Sequence, residues 1–175
     1  PVQAYLVRTK HHRILIDTCV GCRKLNPDTP DWHLRSDRSW LQRLAEAGLS
    51  PADIDYVFCT HLHSDHCGWN TELRDGRWAP TFPNAKYIFS RLELEATAKL
   101  GGASFEQSVL PVLEAGQAQL VELDYALDDE VWLEPAVGVG AAFPGPGAIR
   151  CRRAARGDRR RRTRAAHPIG CGGPP

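Results

Sequence analysis

Residues 56–66 constrain this chain more than any other stretch. Tyr56-Val57-Phe58-Cys59 is a compact apolar run of β-formers that leads directly into Thr60-His61-Leu62-His63-Ser64-Asp65-His66. Continuous apolarity over so short a run reads as a strand covered on both faces. Its end opens onto a loop that places three imidazoles and a carboxylate within six residues. Neutral imidazole and carboxylate are good ligands for Zn²⁺, at about 2.0–2.2 Å. On such a loop His61 and His63 alternate and point one way, while Asp65 and His66 turn toward a neighbouring position. That suits two metals lying close together better than one closed tetrahedral site. Two metals would hold a bridging hydroxide at neutral pH and polarise a carbonyl or phosphoryl oxygen. The competing reading is a polar surface loop with chance histidines. Four potential ligands among seven positions weigh against it.

The flanking sequence supplies a scaffold of alternating strands and helices. Val2 to Thr9 alternates loosely, and Arg13-Ile14-Leu15-Ile16-Asp17 is a short apolar run ending on a carboxylate. Both read as strands. Trp40, Leu41, Leu44 and Ala47 recur at helical spacing before Gly48, and Ser50-Pro51-Ala52-Asp53 has the capping-box pattern. A second buried strand is expected over Lys86 to Phe89. There Ser90-Arg91-Leu92-Glu93 reads as another capping box, opening a helix toward Leu100. Ser104 to Glu114 reads as a helix bent or shortened by Pro111. Leu120–Leu123 and Val131–Leu133 complete the expected strands. This is an α/β order with a mixed sheet.

Charge divides the chain in two. Residues 1–140 hold 13 Lys/Arg against 20 Asp/Glu, whereas residues 141–175 hold 9 Arg against Asp158 alone. No apolar run approaches the roughly 20 residues of a membrane helix, so no membrane span is expected. Six Cys without framework spacing argue against a disulfide-stapled domain and for a reducing, cytoplasmic setting. The chain has no Met and opens on Pro1 inside a strand-like run, so it is expected to begin after the natural start. Cys19-Val20-Gly21-Cys22 has the spacing of a redox or zinc pair, but no second such pair follows. Trp32, Trp69, Trp78 and Phe82 are candidates either for an apolar substrate pocket or for the core.

Thr60-His61-Leu62-His63-Ser64-Asp65-His66-Cys67-Gly68 resembles the H-x-H-x-D-H signature of the metallo-β-lactamase-fold hydrolases. Ile14-Leu15-Ile16-Asp17-Thr18 is similar to that family's strand ending in Asp-Thr, whose Asp supports a metal-ligating His from behind. Gly68-Trp69-Asn70-Thr71 resembles the branch holding lactonase-like and organophosphate-hydrolase-like members. The resemblance covers about residues 2–135. It implies an αββα sandwich, two zinc ions and hydrolysis of an ester, lactone or related bond in a small-molecule substrate. By resemblance, His61 and His63 belong to the first metal and Asp65 and His66 to the second. Asp65 is placed to hold, or accept a proton from, the attacking water.

The same resemblance calls for a further His soon after Val131–Pro135, a bridging Asp after a later strand, and a last His. The only His after His66 is His167, and Gly157-Asp158 lies within an Arg run. Residues 136–175 lack hydrophobic periodicity and are dominated by Arg, Gly, Ala and Pro, which predicts a tail without packed structure. Two domains are thus expected: a metallo-β-lactamase-like portion over 1–135 and a tail over 136–175. Three readings of the tail stand open. It is a disordered basic segment, an Arg-rich arm for nucleic acid, or the product of a shifted reading frame in GC-rich coding DNA. The last would leave a chain lacking half its ligands and inactive as written.

Overall fold

The computed structural model describes residues 2–134, 148–151 and 164–170. Its strands are β1 (Gln3–Arg8), β2 (Arg13–Ile16), β3 (Tyr56–Phe58), β4 (Thr71–Arg74), β5 (Arg77–Pro80), β6 (Lys86–Ser90), β7 (Ala118–Val121), β8 (Val131–Glu134), β9 (Ala148–Cys151) and β10 (Arg164–Gly170). The α-helices are α1 (Ser39–Glu46), α2 (Ser64–Cys67), α3 (Arg91–Leu100) and α4 (Leu110–Glu114), the last preceded by a π-helical turn over Phe105–Val109.

Six strands form one mixed sheet in the order β10-β1-β2-β3-β6-β7. β2, β3, β6 and β7 run parallel, while β1 is antiparallel to both β2 and β10. Period-2 alternation sorts the central strands onto two faces. Leu6, Leu15, Val57, Tyr87 and Phe89 pack on one face with Trp40 and Leu44 of α1 and with Val109 and Val112. Val7, Ile14, Phe58, Ile88 and Val121 pack on the other face with Val131 and Leu133 of β8. Both faces of β3 are therefore covered, as its unbroken apolarity demands. The second layer begins with the antiparallel β8–β9 hairpin. Helix, sheet and hairpin stack as the first three layers expected of the sandwich. No helix among the described residues is long and apolar enough to cross a membrane.

Three local features depart from expectation. β4 and β5 form a hairpin across Asp75-Gly76, both at positive φ (49° and 77°). Asp-Gly is the residue pair that such a two-residue turn requires. At Ser90 no side-chain cap bond forms. Glu93 instead is buried and turned toward the His61–His66 loop, where it accepts a hydrogen bond. Finally, two pieces of the predicted tail are strands. Arg164–Gly170 extends the main sheet by pairing with β1, from Gln3 opposite Gly170 to Arg8 opposite Arg164. Strand addition is carried by backbone hydrogen bonds, so it needs no apolar periodicity. Ile169 anchors it in the core. The Arg run of residues 156–162, the site of the nucleic-acid and reading-frame readings, lies outside the described residues.

Candidate metal centre

Parallel β2, β3 and β6 bring their C-terminal ends to one edge of the sheet, which is where open α/β sheets place ligands. Asp17 leaves β2 there in a left-handed conformation, φ 59°, that Asp tolerates better than most residues. Its N–H donates to the Phe58 carbonyl at 2.8 Å, pinning it beside β3. The buried carboxylate then gathers the neighbouring loop. Oδ1 accepts from the Thr60 N–H at 2.7 Å, Oδ2 accepts from Thr60 Oγ1 at 2.8 Å, and His66 Nδ1 lies 2.8 Å from Oδ2. A carboxylate only accepts, so both ring nitrogens of His66 donate, Nδ1 to Asp17 and Nε2 to Asp65 Oδ2 at 3.2 Å.

The loop folds compactly because His63 starts α2, accepting on its carbonyl from the N–H groups of His66 (3.0 Å) and Cys67 (3.2 Å). That turn folds His66 back over His61, with ring centroids 3.9 Å apart, while His61 and His63 stand edge to face at 4.6 Å. One ligand atom each from His61, His63 and Asp65 lie within 4.8 Å of one another. Burial, then the neighbouring His66 and His63, bring the His61 pKa down to about 4, so its imidazole is neutral at pH 7. Burial also opposes a charge on His66, but its hydrogen bonds to Asp17 and Asp65, with both charges, outweigh burial and raise the pKa to about 9. For Asp65, burial pushes upward, and the hydrogen bond and charge of His66 win, holding the carboxyl below its usual range.

This donor set fits a divalent cation. Two ligands on one tetrahedral ion stand about 3.4 Å apart for bonds near 2.1 Å. His66 Nε2 and Asp65 Oδ2, 3.2 Å apart across their hydrogen bond, lie close to that spacing, so a cation could take the place of the proton between them. Asp65 belongs to both groupings, with His61 and His63 on one side and His66 on the other. The positions expected to supply later ligands, residues 135–147 and Asp158, lie outside the described residues. The register sets His167 beside Leu6, which faces Leu15, within the sheet rather than at its ligand-bearing end.

Backbone packing beneath the loop is unusually close. Gly68 N–H donates to the Cys19 carbonyl at 2.7 Å and Trp69 N–H to that of Thr18 at 3.0 Å. Thr18 Oγ1 donates to Asn70 Oδ1 at 2.9 Å, deep in the core. Glu93 Oε1 accepts from the Leu62 N–H at 3.0 Å and thereby fixes the peptide between His61 and His63. Nothing in the sequence marks Glu93 for this role, since its local pattern is that of a helix cap. Cys22 is a buried free thiol, so the Cys19–Cys22 spacing closes no disulfide within the pair. Trp69 and Phe82 are core residues, Trp69 stacked on Trp40 at 5.8 Å. Trp32 alone of the four aromatic candidates lines a hollow at the site. That hollow measures about 380 Å³ and is lined by Trp32, Leu62, Leu100 and Ser104 together with His63 and Asp65.

Residues 1–152 match the profile of the Metallo-beta-lactamase superfamily. The chain belongs to this superfamily. The superfamily match runs past the change in composition near residue 136. The N-acyl homoserine lactonase AiiB of Agrobacterium fabrum is 35% identical over 77 residues, covering 39% of this chain and 28% of that protein. An N-acyl homoserine lactonase of Bacillus cereus is 27% identical over 135 residues, 71% of this chain and 49% of its own length. A solved N-acyl homoserine lactone hydrolase, with the product N-hexanoyl-L-homoserine at its catalytic metal centre, superposes with a TM-score of 0.57 at 25% identity. That superposition covers 85% of this chain and 57% of the other. The chain thus spans between about a quarter and three-fifths of these relatives.

Within a superfamily metal site, Asp17 would orient His66 and keep its Nε2 aimed outward. Replacing Asp17 by Asn keeps the shape but puts an amide where His66 needs an acceptor, or turns that amide against Thr60. The expected result for Asp17→Asn is a zinc affinity lower by about 10- to 100-fold, the usual effect of losing such a supporting group. Competitive titration against a chromogenic chelator measures it. An affinity equal to the parent's would show that the Asp17–His66 contact does not support the metal.

Proposed function

We propose that this chain is a metal-dependent hydrolase of lactones or closely related esters, with zinc as its metal. The carrying observation is the His61–His63–Asp65 group, of which His63 and Asp65 line a hollow shared with Trp32, Leu62 and Leu100. In this reading His61 and His63 hold the first metal, and Asp65 and His66 the second. When bound, the metal supplies Lewis acidity toward the substrate carbonyl and lowers the pKa of water to near neutrality. Asp65, ionised at neutral pH, orients the attacking water and accepts its proton. Asp17 holds the His66 ring, and Glu93 keeps the His61–His63 peptide from turning. The hollow beside His63 receives an acyl substituent against Trp32, Leu62 and Leu100.

The relatives' lactonase activity supports a cyclic ester over a β-lactam or phosphoester. The test is acid release from a panel of N-acyl homoserine lactones by the zinc-treated chain, with and without chelator. Chelator-sensitive ring opening is expected. A chain that binds zinc and opens no lactone or ester overturns the assignment.

A further inference from the structure

Lys24 is an anomaly: a lysine only 4% exposed, in the loop between β2 and α1, with a hydroxyl and a carbonyl rather than a carboxylate as its described hydrogen-bond partners. Its Nζ donates to Thr71 Oγ1 at 2.5 Å and to the Gln107 carbonyl at 2.7 Å, and sits 3.6 Å from the centre of the Trp78 ring. Burial brings its pKa down to about 7. A group so costly to bury calls for a reason.

The reason begins at Pro111. In an α-helix the Gln107 carbonyl would accept from the N–H four residues on, and that residue is Pro111, which has none. The helix responds with its π turn over Phe105–Val109, and the Gln107 carbonyl turns outward to Lys24 Nζ and Thr71 Oγ1. Gln107 Oε1 adds a bond from the Leu25 N–H at 3.0 Å. One residue thus anchors the loop by two contacts.

That loop carries Trp32. Its neck is closed by Arg23 N–H to the Arg35 carbonyl (2.6 Å) and by Leu34 N–H to the Lys24 carbonyl (2.8 Å). Its tip is tied by Asn26 N–H to His33 Nδ1 at 3.1 Å. Ser104, three residues before Gln107, also lines the hollow, and its Oγ donates to the Leu62 carbonyl at 3.0 Å. Both walls are therefore referred to the same turn of helix.

We propose that Lys24 is a positioning residue. Latched onto the carbonyl that Pro111 leaves free on Gln107, it holds Trp32 against the metal-site hollow and so sets how long an apolar substituent the site accepts. The proposal rests on the hollow being the substrate's acyl side, as in the function proposed above. Two variants remove the latch from opposite ends. Lys24→Met keeps the stem over Trp78 but loses the donor. Pro111→Ala gives the Gln107 carbonyl a helical N–H to accept from and leaves the buried ammonium with Thr71 Oγ1 as its one remaining described acceptor.

The test measures butanoate and decanoate affinity of the zinc-treated full chain by calorimetry, with hydrogen exchange at the Leu25 and Leu34 amides alongside. The parent should bind decanoate more tightly. Both variants should lose about tenfold of that preference, the worth of one apolar wall contact. Butanoate affinity should stay as it was, and exchange at both amides should quicken. Equal loss for both acids, a retained preference, unchanged exchange, or a parent that prefers neither acid each overturns the proposal. Should the parent open no lactone, the functional reading falls while the chain-length preference still decides the latch.

Discussion

Replacing His61 and His63 together by Ala is expected to strip the chain of bound zinc. After zinc loading and gel filtration, metal measured by atomic emission should fall to the level of a metal-free control protein. Catalytic zinc keeps three protein ligands, and the double variant leaves only Asp65 and His66 of the four candidate side chains. The neutral state of His61 is what makes it available. Its buried ring and two imidazole neighbours disfavour a proton, and a cation meets no competitor there. His61 is half-buried and His63 exposed, so truncating both should leave the far-ultraviolet circular dichroism unchanged. Zinc content equal to the parent's would place the metal elsewhere.

The second large effect is steric. A Cβ added to Gly68 would overlap the Val20 carbonyl carbon and oxygen and the Gly21 nitrogen. These are backbone atoms of a segment already bonded to the same loop through Gly68 N–H and Trp69 N–H. Nothing flexible can yield. Gly68 has φ −60°, so backbone conformation does not require glycine there; space does. Gly68→Ala should cost more than about 4 kcal/mol, the range reached only by severe overpacking or lost networks, and should also displace His66. Gly48 offers the contrast. It sits at φ 76°, and a Cβ added there would meet no atom within 4 Å. Gly48→Ala should therefore cost only about 1–2 kcal/mol of left-handed strain. Chemical denaturation of the two variants side by side checks the ordering. A Gly68→Ala chain as stable as Gly48→Ala would mean that the two backbones separate freely.

Asp17 shows how a reading from resemblance becomes a physical one. A strand ending in Asp-Thr suggested support for a histidine. The structure shows which histidine and through which nitrogen. The opposite case is Ser90-Arg91-Leu92-Glu93. Its local pattern is a sound helix cap, yet Glu93 is drawn to the Leu62 amide, 31 residues away in sequence. A buried unpaired N–H between His61 and His63 is more costly than an unfilled cap open to water.

The sequence by itself determined the covered strand at 56–58, the cluster His61, His63, Asp65 and His66 at its end, and the alternating order of strands and helices. Each rests on neighbours within one or two turns, where spacing and geometry are nearly the same thing. Only the tertiary structure decided which aromatic residues face the hollow, that Arg164–Gly170 closes the sheet against β1, and that a lysine at 24 is held by a carbonyl at 107. Those contacts join residues far apart in the chain. Their energies depend on which backbone groups the rest of the fold leaves unpaired, and no local pattern carries that information.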